Sequence, residues 1–326
     1  MAGRKNPERA MSSESRYSLM EFMDEFPDDD ACLTYLWRSR YSPDGDHAVC
    51  PRCQVERTFH RYHTAQQRQS WTCSACGLHV HPTAGTIFHK SSTSLKLWFY
   101  ALYLITSTRC GISAKQLERE LGVTYKTAWR MFNVIRNSLM ADDGVALSGE
   151  VEMDETYSNP KRRLSQPVGQ SGRSLRERVV VGAVERQGPV VARYAPQGAT
   201  SAEADEIVRL RVLPASMVYT DQSAIYNYLD GEGSHHYHRR VNHSAGVYVD
   251  GPVHTQSIEG FWSLLKSGIR GTYHSVSTKW LQSYLNEYSW RYNHREHTRR
   301  QPGVKRMPVG EAKFRLLVER ACQTIG

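Results

Sequence analysis

The sequence predicts a mixed α/β protein in which a cysteine-rich module and a helical region precede a sheet domain. Three patterns lead to that fold class: two paired cysteine motifs, apolar residues at helical spacing, and β-branched runs that alternate with helices. Apolar residues form 40% of the 326 residues, which is ample for packed cores and excludes a mainly disordered chain.

Five parts are expected along the chain. They are an N-terminal helical segment (1–43), the cysteine-rich module (44–90), a helical region (91–145), the sheet domain (146–310) and a C-terminal tail (311–326). The most apolar stretch, 95–105, is too short to span a membrane, and no secretory signal is visible. We therefore expect a cytoplasmic protein, and the net charge of +9 points weakly to a polyanionic partner.

Four of the seven cysteines form two CxxC pairs, Cys50 with Cys53 and Cys73 with Cys76. Nineteen residues separate the pairs, which is the spacing of a four-thiolate zinc site. Disulfides are uncommon in the cytosol, so zinc is the better interpretation. The intervening segments 58–62 and 69–72 read as hairpin strands, which predicts a zinc ribbon with one structural Zn²⁺.

Residues 112–140 read as two helices around a short turn. Ser113 and Thr124 are expected to cap the first and second helix, which gives a helix-turn-helix pattern. Its candidate DNA-contacting side chains are Lys126, Arg130 and Arg136. A helical pair that only packs would show the same pattern, so that alternative stays open.

The sheet domain begins with a three-strand meander and continues with alternating helices and strands. The expected strands are 149–157, 179–186, 189–194, 216–220 and 237–242, and the expected helices are 201–213, 255–269 and 280–293. This is the element order of a ribonuclease-H-like domain, with a mixed sheet and helices packed on it.

Three acidic residues lie where a catalytic site could form. Asp154 lies within the first strand, Asp221 follows the fourth, and Glu259 lies near the start of helix 255–269. Acids are uncommon in strands, and ligands of open α/β sheets gather beyond the carboxyl ends of strands. Carboxylates from separate elements can hold two divalent cations, Mg²⁺ or Mn²⁺, for phosphodiester chemistry.

The helix that carries Glu259 adds a basic side chain to this set. Lys266 shares the helix face of Glu259 two turns later, so it is expected to contact DNA phosphate. An ordinary solvated helix face would look the same. Glu152 is the first alternative acid, and Trp262 is expected in the core.

Three segments carry a resemblance to a known family. They are V-E-M-D-E-T-Y (151–157), Y-T-D-Q-S (219–223) and H-T-Q-S-I-E-G-F-W-S-L-L-K (254–266). They resemble bacterial insertion-sequence transposases of the DDE type, most closely the group related to Merlin transposons. A zinc ribbon before the catalytic domain is also typical of that group.

The resemblance implies that Asp154, Asp221 and Glu259 are the metal-binding triad and that Lys266 accompanies them. Many relatives have Asn where this chain has Gln256, and there the Asn is often counted as the third catalytic residue. Gln256 is therefore a second candidate for that role. A carboxylate is the better Mg²⁺ ligand, which favours Glu259.

The implied function is metal-dependent strand transfer. The protein would bind the terminal inverted repeats of its element, hydrolyse a phosphodiester at each end and join the 3′ hydroxyls to target DNA. A homodimer or larger assembly on DNA and a place at the bacterial nucleoid follow from the same resemblance. The alternatives are a transposase-derived DNA-binding protein without catalysis, and a nuclease of the same fold.

Basic side chains outside the triad are candidates for contacts with the DNA backbone. The stretch 291–306 and the loop 159–178 are rich in Lys and Arg. The candidates are Lys126, Arg130, Arg270, Arg295 and Arg299. A solvated tail would fit the stretch 291–306 equally well.

Overall fold

A computed structural model describes most of the chain as two units. It describes residues 17–63, 69–108, 110–141, 144–158, 178–231, 235–241, 253–295 and 309–323. One unit contains residues 1–139 and 301–326, and the other contains residues 140–300. Within the described ranges, no helix is both long and apolar enough to cross a membrane.

The first unit contains a small antiparallel sheet next to two helices. Its strands are β1 (His47–Val49), β2 (Glu56–His63), β3 (Gln69–Cys73) and β4 (His79–Val80), paired in that order. Helices α1 (Leu19–Glu25) and α2 (Asp29–Arg40) precede it and are separated by a break at Pro27. The rings of Trp37 and Trp71 stack at 4.8 Å between centroids and join α2 to β3.

The helical region follows the predicted pattern closely. It consists of α3 (Leu95–Ser107), α4 (Ala114–Leu121) and α5 (Tyr125–Val134), which continues as a π-helical turn over Ile135–Leu139. Ser113 and Thr124 cap α4 and α5 through their hydroxyl oxygens, as expected from the sequence. Gly122 ends α4 in the left-handed region, at φ +63°.

The C-terminal segment differs from the prediction. Residues 311–326 are predicted as a tail, but Val309–Cys322 form a helix, α9, that packs against α2 and α3. The Phe314 ring lies among the rings of Tyr17, Phe22 and Phe26, with centroids 5.6–5.8 Å apart. This aromatic cluster explains why the segment is ordered.

The second unit is built on a five-stranded mixed sheet in the order β7-β6-β5-β8-β9. The strands are β5 (Glu150–Ser158), β6 (Arg178–Glu185), β7 (Val190–Ala195), β8 (Met217–Thr220) and β9 (Tyr237–Arg240). The first three pair antiparallel, whereas β8 and β9 continue parallel to β5. This is the ribonuclease-H-like strand order, and the predicted fold class is confirmed.

Helices cover both faces of this sheet. On one face, α6 (Ser201–Arg211) and a 3₁₀ segment over Ala224–Asp230 pack on a core that includes Val151 and Met153. On the other face, α7 (Gln256–Gly268) and α8 (Leu281–Asn293) pack on a core that includes Val180 and Val184. The alternation of β5 thus turns Glu152 and Asp154 toward α7.

Strand β7 lies at one margin of the sheet, where two amide side chains from α8 bind its backbone. The Val190 N–H donates to Asn293 Oδ1 at 2.7 Å, and Asn293 Nδ2 donates back to the Val190 carbonyl at 3.0 Å. Gln282 Oε1 accepts from the Tyr194 N–H at 2.9 Å, and Gln282 Nε2 donates to the Ala192 carbonyl at 3.3 Å.

Candidate active site

The parallel pairing of β5 with β8 brings two of the predicted acids together. Glu152 pairs with Tyr219, and Asp221 follows β8 close enough to Asp154 for its charge to raise the pKa of Asp154. Asp221 directly follows the carboxyl end of β8, where open sheets bind ligands, whereas Asp154 lies in the middle of β5. The Ser223 N–H donates to Asp221 Oδ1 at 2.9 Å and holds the turn that follows β8.

Helix α7 brings the other predicted residues to Asp154. Glu259, Lys266 and Arg270 lie at steps of seven and four residues, so they share one side of the helix and its π-helical extension. A pocket of about 560 Å³ lies between this side and the end of β5. Its lining consists of Asp154, Glu155, Thr156, Tyr157, Glu259, Trp262, Ser263, Lys266, Ser267 and Arg270.

The three predicted triad carboxylates do not form a tight cluster. In the part of the chain that the structure describes, only the four cysteines bring three or more ligand atoms within 4.8 Å of one another. Asp221 is not part of the pocket lining, whereas Asp154 and Glu259 are. Two metal ions about 4 Å apart, each about 2 Å from its oxygen ligands, can be shared by carboxylates roughly 8 Å apart.

The charge of Asp154 is poorly compensated. Burial, followed by the nearby charges of Glu155 and Asp221, raises the pKa of Asp154 from 3.8 to about 7. Burial also raises the pKa of Glu155, which accepts a hydrogen bond from the Tyr226 hydroxyl at 2.9 Å. A set of hard oxygen donors with excess negative charge fits a divalent cation such as Mg²⁺.

Gln256 and Glu259 occupy different places on α7. Gln256 is the first residue of the helix, is exposed, and does not line the pocket. Glu259 lines the pocket, and its Oε1 accepts a hydrogen bond from the buried Thr255 hydroxyl at 2.9 Å.

Glu152, the alternative acid, is buried away from the pocket. Its Oε2 accepts hydrogen bonds from the backbone N–H groups of Ser257 at 2.7 Å and Ile258 at 3.2 Å. Its Oε1 accepts from Arg186 Nε at 2.7 Å. The side chain is fully buried. Glu152 therefore binds the otherwise unpaired N–H groups at the start of α7 and fixes that helix to β5.

The predicted DNA-contacting residues lie in different surroundings. Lys126 is exposed on α5, and Arg270 is exposed beside the pocket. Arg130 is also exposed, but its Nη2 donates to Thr93 Oγ1 at 3.0 Å. Arg136 was expected on the DNA-contacting surface, and this expectation is wrong, because its side chain is 1% exposed and stacks on Phe132.

Arg295 is only partly exposed and is held by contacts within the protein. Arg295 donates to the carbonyls of Tyr292 at 2.7 Å and Gly188 at 3.1 Å, and its guanidinium lies over the Tyr292 ring. Arg299 lies outside the described residues, as do most of the stretch 291–306 and all but the last residue of the loop 159–178.

The four paired cysteines converge in the first unit. All four sulfurs lie within 4.8 Å of one another, and the Sγ atoms of Cys50 and Cys76 are 3.6 Å apart. Tetrahedral zinc with Zn–S bonds near 2.3 Å requires sulfurs about 3.8 Å apart, so the set fits zinc. Gln54 at φ +58° and Gly77 at φ +70° turn the backbone after the two pairs.

Comparison with known proteins now identifies the family. Residues 146–293 match the model of the ISXO2-like transposase domain, and residues 27–79 match that of the transposase zinc-ribbon domain. A relative from Halobacterium salinarum, named an uncharacterized protein in transposable element ISH50, is 30% identical over 255 residues. That alignment covers 74% of this chain and 84% of the relative. The chain belongs to the ISXO2-like transposases.

Solved structures similar to this transposase are distant. The simian T-cell lymphotropic virus intasome in complex with PP2A regulatory subunit B56 gamma gives a TM-score of 0.29 at 13% identity, covering 60% of this chain and 75% of the other. The Mos1 strand transfer complex gives 0.22 at 11%, covering 60% and 76%. The predicted family and the N-terminal zinc-ribbon domain are thus confirmed by the family models and the relative.

Sequence reasoning missed what two residues do in this transposase: Glu152 fixes α7 to β5, and Trp262 lines the pocket. The sequence indicates Glu152 only as a possible catalytic acid and Trp262 only as a core residue. Trp262 is buried, but its indole N–H donates to Asp154 Oδ2 at 3.0 Å. One signal was available: Gly182 interrupts the run of β-branched residues in β6, which indicates a close approach by another group.

Proposed function

We propose that this transposase catalyses metal-dependent strand transfer. It binds the terminal inverted repeats of its element, hydrolyses a phosphodiester at each end and joins the freed 3′ hydroxyls to target DNA. The observation that carries the proposal is the convergence of Asp154, Glu259 and Lys266 on one pocket, with Asp221 beside Asp154 at the adjoining strand end. The carboxylates can bind the metal ions, and the cationic side chains beside them can bind the phosphodiester.

Asp154, Asp221 and Glu259 would hold the divalent cations, Mg²⁺ or Mn²⁺, two in each active site. Such ions supply Lewis-acid activation of the attacking oxygen and stabilise charge on the leaving oxygen. Burial, followed by the charges of Glu155 and Asp221, raises the pKa of Asp154, and a bound cation would offset both effects, which supports this assignment. Glu259 is the preferred third ligand because it lines the pocket, whereas Gln256 does not.

Lys266 and Arg270 would bind DNA phosphates on the same side of the pocket. Lys266 is a compact charge that can approach a phosphate oxygen, and Arg270 can donate two parallel hydrogen bonds. Ser263 and Ser267 also line the pocket and add neutral donors. These side chains would orient the backbone of the DNA, and they carry no information about its sequence.

The first unit would recognise the element ends. The four cysteines would bind one structural Zn²⁺, which leaves no open coordination position for chemistry. The start of α5 exposes Tyr125 and Lys126, and Lys115 lies 5.2 Å from the Tyr125 ring centre. A helix start with this character suits entry into a major groove. Two ends must be processed together, so we expect a homodimer or larger assembly on DNA.

The test is a joining assay with the full chain. A labelled duplex that carries the element end is incubated with supercoiled target DNA and Mg²⁺ or Mn²⁺. Joined products are expected from the wild type. Asp154→Asn and Asp221→Asn should abolish joining and leave end binding intact in a gel-shift assay.

Other outcomes would separate the alternatives. Cleavage without joining would indicate a nuclease, and end binding without either reaction would indicate a DNA-binding protein. Joining that survives both aspartate substitutions would refute the site assignment. Loss of joining in Gln256→Ala, with joining retained in Glu259→Ala, would assign the third ligand to Gln256.

A further inference from the structure

A side-chain hydrogen bond joins Trp262 of α7 to Asp154 of β5. Among the described residues, it is the one side-chain hydrogen bond that links Asp154 to this helix. The indole Nε1 donates to Asp154 Oδ2 at 3.0 Å. The residue is only 4% exposed. It lies three residues after Glu259 and four before Lys266, so the same side of α7 presents all three to the pocket.

Gly182 makes room for this contact. It pairs directly with Asp154 across β5 and β6. A Cβ atom at position 182 would lie 2.6 Å from Trp262 Cη2 and 3.0 Å from the Val191 carbonyl oxygen. Any side chain there would push the indole away from the sheet, so the missing Cβ lets the N–H reach the carboxylate.

The helix is also fixed at its N-terminal end. The Glu152 carboxylate, two residues before Asp154, binds the first N–H groups of α7. The contacts of Glu152 and Trp262 together fix the position of α7 along β5 and the rotation of α7 about its own axis. Glu259 lies on the helix between these two contacts.

We propose that Trp262 is a positioning residue for Asp154. Its indole N–H fixes the orientation of the Asp154 carboxylate, which can then bind a divalent cation together with the carboxylate of Glu259. Gly182 permits this geometry. The inference rests on the proposed function, since it assigns Asp154 to a metal site. An indole N–H suits the task because it donates one directional bond without a charge that would compete with the cation.

The test compares two conservative substitutions with the same change in volume. Trp262→Phe removes the N–H to Asp154. Trp290→Phe is the matched control, because Trp290 is 3% exposed in the same unit and its Nε1 has no hydrogen-bond partner within the described ranges. Loss of such an outer contact lowers metal affinity or activity about 10- to 100-fold. We expect that loss in Trp262→Phe alone, measured as Mn²⁺ affinity by calorimetry without DNA and as joining rate.

A spectroscopic readout tests the bond without metal or catalysis. Protein labelled with ¹⁵N-tryptophan has seven indole N–H groups, and Trp262→Phe identifies one of the signals. Asp154→Asn should shift that signal more than any other. Mn²⁺ should broaden it far more than the signal that Trp290→Phe identifies.

The outcomes separate this inference from the proposed function. If the wild type neither binds Mn²⁺ nor joins DNA, the proposed function fails, and this inference fails with it. If the wild type does both and Trp262→Phe matches Trp290→Phe, only the inference about Trp262 is overturned. The inference would also be overturned if the indole signal of Trp262 did not shift in Asp154→Asn.

Discussion

The cysteine cluster and the acid pocket arrange their candidate metal ligands in opposite ways. The four sulfurs come from two short turns and already lie within 4.8 Å of one another. The acids come from β5, the end of β8 and α7, and they do not close to that distance. A structural metal site needs a complete set of ligands, whereas a catalytic site keeps space for its substrate. The two sites should therefore respond differently when a ligand is removed.

The largest effect is expected in the cysteine cluster. Cys73→Ser should abolish zinc binding and unfold the ribbon, since structural zinc contributes on the order of 10 kcal/mol to the folding of small zinc domains. Cys110→Ser is the control, because Cys110 is exposed and belongs to neither pair. Metal analysis and circular dichroism would measure both effects. A ribbon that keeps its zinc and its structure in Cys73→Ser would contradict the assignment of the cluster.

The second prediction concerns the link between β5 and α7. Glu152→Gln removes the charge of a fully buried carboxylate that pairs with the largely buried Arg186, which should destabilise the protein by about 3–5 kcal/mol. Glu287→Gln is a matched control, because Glu287 is equally buried and pairs with Arg291 at 2.8 Å on α8. Urea unfolding should show similar losses in both variants. Joining, assayed where both remain folded, should fall only in Glu152→Gln, and equal joining in both would show that Glu152 has no effect on the pocket.

A smaller and opposite effect is expected from Asp154→Asn without metal. Because the pKa of Asp154 is about 7 in the folded protein, against an ordinary value of 3.8 for an exposed aspartate, the wild type loses stability as pH rises between those values. The asparagine variant escapes this loss and should be more stable than the wild type by about 2–4 kcal/mol above pH 7. The difference should shrink toward zero near pH 4. Unfolding curves across this pH range would measure the difference in stability between the variant and the wild type. A difference that does not change with pH would show that the charge of Asp154 does not destabilise the fold.

Local patterns predicted most of the second unit. Strand β5 was predicted at 149–157 and observed at Glu150–Ser158, and α7 was predicted at 255–269 and observed at Gln256–Gly268. These elements could be predicted because the alternation of apolar and polar residues, and their helical spacing, involve residues close together in the sequence. The proximity of Asp154 to Asp221 also followed, since both were assigned to strand positions of one sheet.

The remainder depends on contacts between distant segments. Helix α9 was missed because its apolar residue Phe314 packs on Tyr17 and Phe22, almost 300 residues earlier in the chain. The burial of Arg136 was missed because periodicity marks a helix without showing which side is covered. Glu152 was misjudged for a related reason: its partners Arg186 and Ser257 lie on other elements.

The amides of Gln282 and Asn293 have a consequence for assembly. They occupy donors and acceptors of β7 that would otherwise be available to a strand from another molecule. Side chains of α8 thus make the hydrogen bonds to β7 that a sixth strand would otherwise make. In the proposed assembly on DNA, copies of this transposase are therefore expected to contact one another through surfaces other than the β7 flank. The sheet, and the pocket built on it, would then be complete within each subunit.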